Sequence, residues 1–461
     1  MKRQEKMKKW KKIIIFTVLI TGVSCTNMTN SYQEAKQELQ AYQEITRGYQ
    51  LESEWWKEYQ REELNNLVEK ALQKNQDLKK ASLNINAALY QANLIGADLV
   101  PNFSVSFSSS GSKNIKTGEA STIKHSGSVG ISYEIDLWKK LSNSAKASEW
   151  EYKATIEDLE AAKLALINNV INSYFHLIYV RDVLEIVNKK VEQYAEMETI
   201  MKQRFQYGSI NQLELEEAKQ YLLTIQATKL SYEQEQKEQE QVLRNLLHMK
   251  PEETLEIKGK DLLSYSELQI DLDIPMSALG NRPDIKAYEY RLRKSFKNVQ
   301  ATQASLYPSI SIQSTLSSGS NKIKNTFNIP IAYGNIGINL PFLNWNQIQW
   351  NIKTDENVYE MAKTNFEQGI VTALNEIDTY YFSLKQAEKT YQLQKNLWEH
   401  QKEIQKHYKN QYQNGVSDLY AWLNSSVKEE DARISLIKAK YTVLGSGNKI
   451  CQSLGGKLVK I

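Results

Sequence analysis

The sequence predicts a mainly α-helical protein with a small amphipathic β portion, built as two tandem repeats. Three observations carry this. The stretch Asn143 to Tyr207 runs 65 residues without a glycine or proline. Strand-like alternation of apolar and polar residues precedes it. The same order of signals returns 207 residues later.

Within the long stretch Ile156, Leu159, Leu166, Val170, Leu177, Val180, Leu184, Val187 and Val191 recur at spacings of three, four or seven, the seam of a coiled coil. Only Lys163, Ser173 and Glu198 break that seam before Phe205. At 1.5 Å per residue the helix would be roughly 100 Å long. Gly208 then ends it, and a second helix from about Asn211 to Met249 folds back across a short turn as an αα-hairpin.

The N-terminus reads as a secretory signal over residues 1–24. Seven Lys/Arg against Glu5 give the first twelve residues a local charge of +6, and the apolar run Ile13 to Ile20 follows. That run is too short to span a bilayer, which takes about 20 residues. With the +6 removed from the overall +4, the remaining chain is at −2, which gives no electrostatic case for a nucleic-acid partner. Cys25 follows Val23-Ser24 where a lipoprotein precursor would be cut and acylated, although Gly22 departs from the usual large aliphatic residue. The only other cysteine, Cys451, then has no partner for a disulfide.

Residues 25–54 are polar and read as a lipid-anchored N-terminal arm. The first repeat spans 55–250. Trp55-Trp56 anchor an amphipathic helix from Arg61 to about Leu99, interrupted near Asn75 and stopped by Pro101. Phe103, Val105 and Phe107 alternate with serines, and Val129, Ile131, Tyr133, Ile135 and Leu137 alternate with Gly130, Ser132, Glu134 and Asp136. These predict strands at about 101–112 and 124–137, each with one apolar and one polar face, followed by the helical hairpin 143–249. Residues 251–280 form a linker and equatorial region.

The second repeat is expected over 281–444. Gln76, Pro101 and Gly208 are answered by Pro283, Pro308 and Gly415. Strands are expected at about 308–319 and 327–342, the second slipping register near Gly334-Asn335 as a β-bulge would allow. A helical hairpin at 346–444 follows, interrupted at Gly369, and 445–461 form a C-terminal tail.

Four amphipathic strands of about ten residues match tilted membrane strands but cannot close a barrel, since the smallest have eight. An open edge in lipid leaves backbone groups unsatisfied at several kcal/mol each. Strands that enter a membrane here therefore require oligomerisation. Dimer and trimer would supply eight or twelve strands, and the long helices must project from one end of the barrel.

This arrangement resembles the TolC-like outer membrane efflux protein family. The resemblance rests on Trp55-Trp56, on Asn75-Gln-Asp-Leu78 and its echo Arg282-Pro-Asp-Ile285, and on Val100-Pro101 and Tyr307-Pro308 leading into strands. It rests further on Tyr133-Glu-Ile-Asp-Leu-Trp138 and Ile338-Asn-Leu-Pro-Phe-Leu343 leaving them, and on the tips Arg204-Phe-Gln-Tyr-Gly208 and Tyr412-Gln-Asn-Gly415. It implies a homotrimer with a twelve-stranded barrel in the outer membrane, continued by a periplasmic α-helical barrel. Implied partners are a periplasmic adaptor, an inner-membrane pump or transporter, and outer membrane lipid. Implied function is the passive outer membrane channel of a tripartite efflux system. A type I protein secretion duct of the same fold is the alternative within the family, and a secreted structural coiled-coil protein without a pore the alternative outside it. The expected lipid anchor and the Trp-Trp opening lean towards efflux.

Gly208 and Gly415 are helix C-caps by position. By resemblance Gly208, Ser209, Ile210, Asn211, Gly415, Val416 and Ser417 form an adaptor-docking rim. Asp418 is the aperture candidate, as a ring of carboxylates, and is equally accounted for as an acid at a helix start. Trp138, Trp345 and Trp350 lie just past strand ends, as an interfacial girdle or as junction packing. Lys113, Lys116, Lys322 and Lys324 fall in the two expected surface loops. His400, Glu403 and His407 share a helical face and read as exposed polarity rather than a metal site. The sequence holds no phosphate-binding glycine loop, nucleophile elbow or Cys/His cluster, so no enzyme, metal or cofactor is expected.

Overall fold

A computed structural model describes residues 29–460, apart from 31, 38–39, 114, 117, 119–121, 272, 276–277, 327 and 329. The signal segment and Cys25 lie outside the described residues. In chain order the elements are β1 (Tyr49–Glu52), α1 (Glu62–Lys74), α2 (Gln76–Gly96), β2 (Asn102–Ser112), β3 (Thr122–Ile135), α3 (Lys140–Gln206) and α4 (Gln212–Leu246). They continue with α5 (Pro283–Ala304), β4 (Ser309–Ser320), β5 (Ile331–Asn339), α6 (Trp345–Gln413), α7 (Leu419–Ser453) and β6 (Lys457–Lys460). The chain divides into two compact units. One holds the described residues within 1–39 together with Ser82–Asp158 and Asp284–Gly369; the other holds Gln40–Ala81, Leu159–Pro283 and Ile370–Ile461.

The first unit carries a four-stranded antiparallel sheet in the order β2-β3-β4-β5. Its register puts Phe103, Val105, Val129, Ile131, Tyr133, Ile310, Ile312, Leu316, Ile336 and Ile338 on one face, because paired residues share a side. The other face is hydroxylated: Ser106 and Ser128, and Ser108 and Ser126, hydrogen-bond at 2.8 Å across the β2-β3 pair. No bulge occurs in β5. Nine consecutive pairs from Ser309↔Asn339 to Ser317↔Ile331 keep one register, so the slip in the sequence turns Ile331 and Tyr333 onto the hydroxylated face. The strand expected from 327 begins at Ile331, and Pro341–Asn344 beyond it form a 3-10 turn, since proline cannot donate to a ladder.

Asp136 joins sheet to helix in this unit. Its Oδ1 accepts the Leu141 amide at 2.9 Å, and its Oδ2 accepts the Ser142 amide at 2.9 Å, at the start of α3. Trp138 stacks on Tyr307 with ring centres 4.7 Å apart and donates Nε1–H to the Pro308 carbonyl at 2.8 Å. The end of the first hairpin is thereby fastened to the start of the second. Farther along, Arg291 and Lys294 of α5 reach Asp158 and Glu151 of α3. Gly369 does not interrupt α6. A Cβ there would stand 2.9 Å from the Tyr288 ring, so the glycine admits a close side-chain approach.

The second unit holds an apolar cluster that gathers α1, α3, α4, α7 and the 251–280 segment around Trp55, Trp56, Tyr59, Tyr174 and Phe175. Asn75 breaks the first predicted helix because its Oδ1 caps α2, accepting the Asp77 amide at 2.9 Å, while its Nδ2 donates to the Leu246 carbonyl. α7 runs to Ser453 rather than ending near 444, since Val443, Leu444, Ile450 and Cys451 are buried along it. The expected tail closes as β6 against β1, Tyr49↔Lys460 to Glu52↔Lys457, with Lys457 paired to Glu58. Part of the arm, residues 40–46, is helical, and Thr46 Oγ1 accepts the Gly280 amide at 3.1 Å.

Glu63 pins the 251–280 segment by accepting the amide of Lys258, the amide of Gly259 at 3.1 Å and the Tyr174 hydroxyl at 3.0 Å. A Cβ at Gly259 would sit 2.7 Å from both the Tyr174 and the Tyr265 hydroxyl and 2.8 Å from Ile178 Cδ1. Gly259→Ala is therefore expected to destabilise this unit by about 1–3 kcal/mol, as overpacking does. Thermal melting in detergent checks this: a lowered midpoint is expected, and an unchanged one would show that the two tyrosines yield freely.

Candidate functional site

Two surfaces carry chemistry that the core does not need: the apolar sheet face of the first unit and the paired helical tips of the second. Phe103 and Val105 are 73% and 80% exposed on that face, and Ile336 and Ile338 are 68% and 63% exposed. Such a contiguous apolar surface marks a lipid or protein contact. β2 and β5 each pair with one strand only among the described residues, so both sheet edges are open. No helix among the described residues is long and apolar enough to cross a membrane, a statement that leaves strands untouched.

The tips are built alike. Gly208 and Gly415 have φ of +70° and +68°, the left-handed conformation that lets each helix end. The Ser209 amide donates back to the Arg204 carbonyl, and the Val416 amide to the Gln411 carbonyl, each at 2.8 Å. Both are Schellman closures, which need the glycine at that place. Asn211 then starts α4 with a reciprocal capping box to Glu214. Asp418 starts α7, its Oδ1 accepting the Ala421 amide at 2.8 Å. Tyr207, Leu213 and Val416 are strongly exposed around these turns, while Ile210 and Tyr420 pack on Met201, Leu215 and Ala218. Ser209 and Ser417 complete the two turns.

The free oxygen of Asp418 goes to the other tip. Arg204 Nη2 donates to Asp418 Oδ2 at 2.7 Å, a charge-assisted bond between residues 214 positions apart. In the sequence Arg204 stands out only as part of a tip pattern. The Ala421 amide and then the Arg204 guanidinium hold the Asp418 carboxyl below its ordinary 3.8. A depressed carboxyl contributes its stabilisation above the ordinary value and loses it as pH falls through the depressed one. The bridge is thus fully formed at neutral pH.

A second polar cluster joins α3 and α7 farther along, a pairing that spacing along one helix does not reveal. Lys190, almost wholly buried, pairs with Asp431, and Gln193 Nε2 donates to Glu430 Oε1 at 3.0 Å. Glu430 is itself buried and its Oε2 has no hydrogen-bond partner. Among the described residues no group of three or more His, Cys, Asp or Glu is placed to hold a metal ion.

Burial pushes the Glu430 carboxyl up to about 7, against the opposing hydrogen bond from Gln193. The folded chain then holds a proton that the unfolded chain releases near 4.5. Stability from this site is greatest below that value and falls as pH rises to about 7. Glu430→Gln keeps the neutral form at every pH. It is expected to raise the melting midpoint near pH 8 and to leave it nearly unchanged near pH 4; equal effects at both would contradict a proton held here.

The outer membrane efflux protein family model matches this chain twice, over residues 67–247 and 274–456, one match per repeat. The chain is 41% identical over 450 residues to the toxin and drug export protein A of Aggregatibacter actinomycetemcomitans, covering 98% of each chain. It is 27% identical over 319 residues to the cation efflux system protein CusC of Escherichia coli, covering 68% of this chain and 69% of that one. Among solved structures its fold is similar to the Campylobacter jejuni CmeC outer membrane channel, with a TM-score of 0.80, 24% identity and 89% of each chain covered. It is also similar to the Neisseria gonorrhoeae MtrE outer membrane channel in its open state, with a TM-score of 0.76, 21% identity, and 86% of this chain and 89% of that one covered. The chain belongs to the outer membrane efflux protein family.

Proposed function

We propose that three copies of this chain form the outer membrane channel of a tripartite efflux system, passing solutes from a periplasmic adaptor and an inner-membrane pump to the exterior. The carrying observation is the four-stranded sheet with one exposed apolar face, one hydroxylated face and two open edges. Three such sheets joined edge to edge make a closed twelve-stranded barrel, apolar outside and polar within. β2 and β5 run in opposite directions within the sheet, so the junction between neighbouring copies is antiparallel like the rest.

Conduction in this reading is passive, with the driving energy supplied by the inner-membrane pump. The family supports efflux over a non-channel coiled-coil role. The name of the Aggregatibacter relative, with toxin and drug export in it, supports outward traffic. The turns Gly208–Asn211 and Gly415–Ser417 form the adaptor-docking rim, with Tyr207 and Val416 as apolar contacts. Cys25 carries the lipid that seats the N-terminal arm in the outer membrane. Trp138 and Trp345 stand at the junction of sheet and helices, where aromatic side chains favour the interface.

Arg204 and Asp418 hold the two tips of each copy together and keep the periplasmic end closed. An exposed ion pair is worth no more than about 1 kcal/mol, so three bias the closed state by at most about 3 kcal/mol, an upper limit on the order of a hundredfold in population. Adaptor binding opens the end by favouring the parted tips. Arg204→Ala and Asp418→Ala are each expected to raise the open fraction of purified channels in planar bilayers by about tenfold to a hundredfold. Conductance identical to the wild type in both would remove the latch.

A further inference from the structure

Ile331 and Tyr333 are the large apolar side chains on the hydroxylated face of the sheet, and they lie near its loop end. Tyr333 stands opposite Thr315, Thr315 opposite Gly130, and Gly130 opposite Ser104. Ile331 stands opposite Ser317, Ser317 opposite Ser128, and Ser128 opposite Ser106. Each row across the sheet therefore has one bulky residue, from β5, and three small ones. Tyr333 is 56% and Ile331 50% exposed, so neither is sheltered by a neighbour. Between Lys124 at one end and Glu134 at the other, this face carries no charge on any of its four strands. Glu134 is itself paired with Lys140 at 3.6 Å. An alternating strand would have put both bulky residues on the lipid side; the unbroken register keeps them inward.

We propose that Ile331 and Tyr333 form an apolar collar inside the barrel, a contact site for aromatic and lipophilic cationic solutes on their way out. The proposal rests on the trimeric barrel reading above. Twelve strands about 4.8 Å apart and tilted about 40° enclose a tube of about 12 Å backbone radius, wide enough that serine-lined walls barely touch a small solute. Three tyrosines and three isoleucines, one pair from each copy, narrow it at one level. They add apolar area and aromatic faces that attract cations. Elsewhere the wall offers hydroxyls and amides, which exchange water hydrogen bonds for equivalent ones and discriminate little. The collar is thus the place in the barrel where aromatic cargo is retained longer than hydrophilic cargo of the same size.

The test uses purified full-length channels in planar bilayers with tetraphenylphosphonium added on the loop side, which reaches the collar without passing the helical tips. The wild type is expected to show a concentration-dependent block. The doubly substituted Ile331→Ser, Tyr333→Ser channel should need about fivefold or more of the cation for the same block, and Tyr333→Phe should behave as the wild type. In parallel, Tyr333→Cys should react with a charged, impermeant thiosulfonate reagent, whereas Ile336→Cys on the opposite face should not. Equal block in the wild type and the double serine variant, with normal currents in both, would overturn the collar and leave the duct intact. A reactive Ile336→Cys with an unreactive Tyr333→Cys would overturn it by reversing the two faces. Absence of current in the wild type would overturn the duct and the collar together.

Discussion

Backbone groups at an open sheet edge constrain everything else in this protein. β2 and β5 each leave one side of the strand without partners among the described residues, and the sheet face beside them is apolar. In hydrocarbon each unpaired backbone group costs several kcal/mol, so an edge of about ten residues is untenable in lipid by tens of kcal/mol. Water would satisfy the edges but not the exposed Phe103, Val105, Ile336 and Ile338. The closure against further copies proposed above satisfies both at once. In the proposed barrel, oligomerisation is thus a condition of stability for the sheet, not an addition to a finished monomer.

That demand explains how the helices begin and end. In the proposed barrel the strands of a lipid-facing wall are not interrupted by helices, and the chain leaves the sheet through sharp, fastened joints. Asp136 caps α3 within a few residues of β3, with Lys139 in the left-handed conformation at the corner, and Trp138 ties this joint to Pro308. At the far ends Gly208 and Gly415 reverse the chain in equivalent turns. The two repeats differ in how these turns are capped. Asn211 spends its cap locally in a box with Glu214, whereas Asp418 caps α7 and still has an oxygen for Arg204. One carboxylate thereby serves both local structure and the contact between tips.

Periodicity made the long helices and the four strands legible in the sequence, because each must bury or expose one face over many turns or residues. The glycine stops were legible for the same reason, as a positive φ is needed at each. Short polar pairings were not. β1 and β6 are four residues each, lie at opposite ends of the chain, and owe their pairing to the buried Cys451 and Leu458 region rather than to alternation. Arg204 with Asp418, and Lys190 with Asp431, meet only because the hairpins lie side by side, which spacing along one helix cannot reveal. Two glycines mislead by the same logic. The slip near Gly334 reads as a bulge if strands are assumed to keep apolar residues outward, and Gly369 reads as an interruption if glycine is assumed to weaken a helix. In the structure the first is a change of face and the second makes room for Tyr288.

The measurement that bears most directly on the account is whether the two open edges meet between copies. One cysteine on β2 at Ser106 would be combined in turn with one at each β5 position from Ala332 to Ile338, and oxidised in isolated outer membranes. Closure into a ring of three predicts that at least one pairing gives a covalent ladder ending at three chains. A chain that stays single at every pairing would contradict the barrel on which the channel depends.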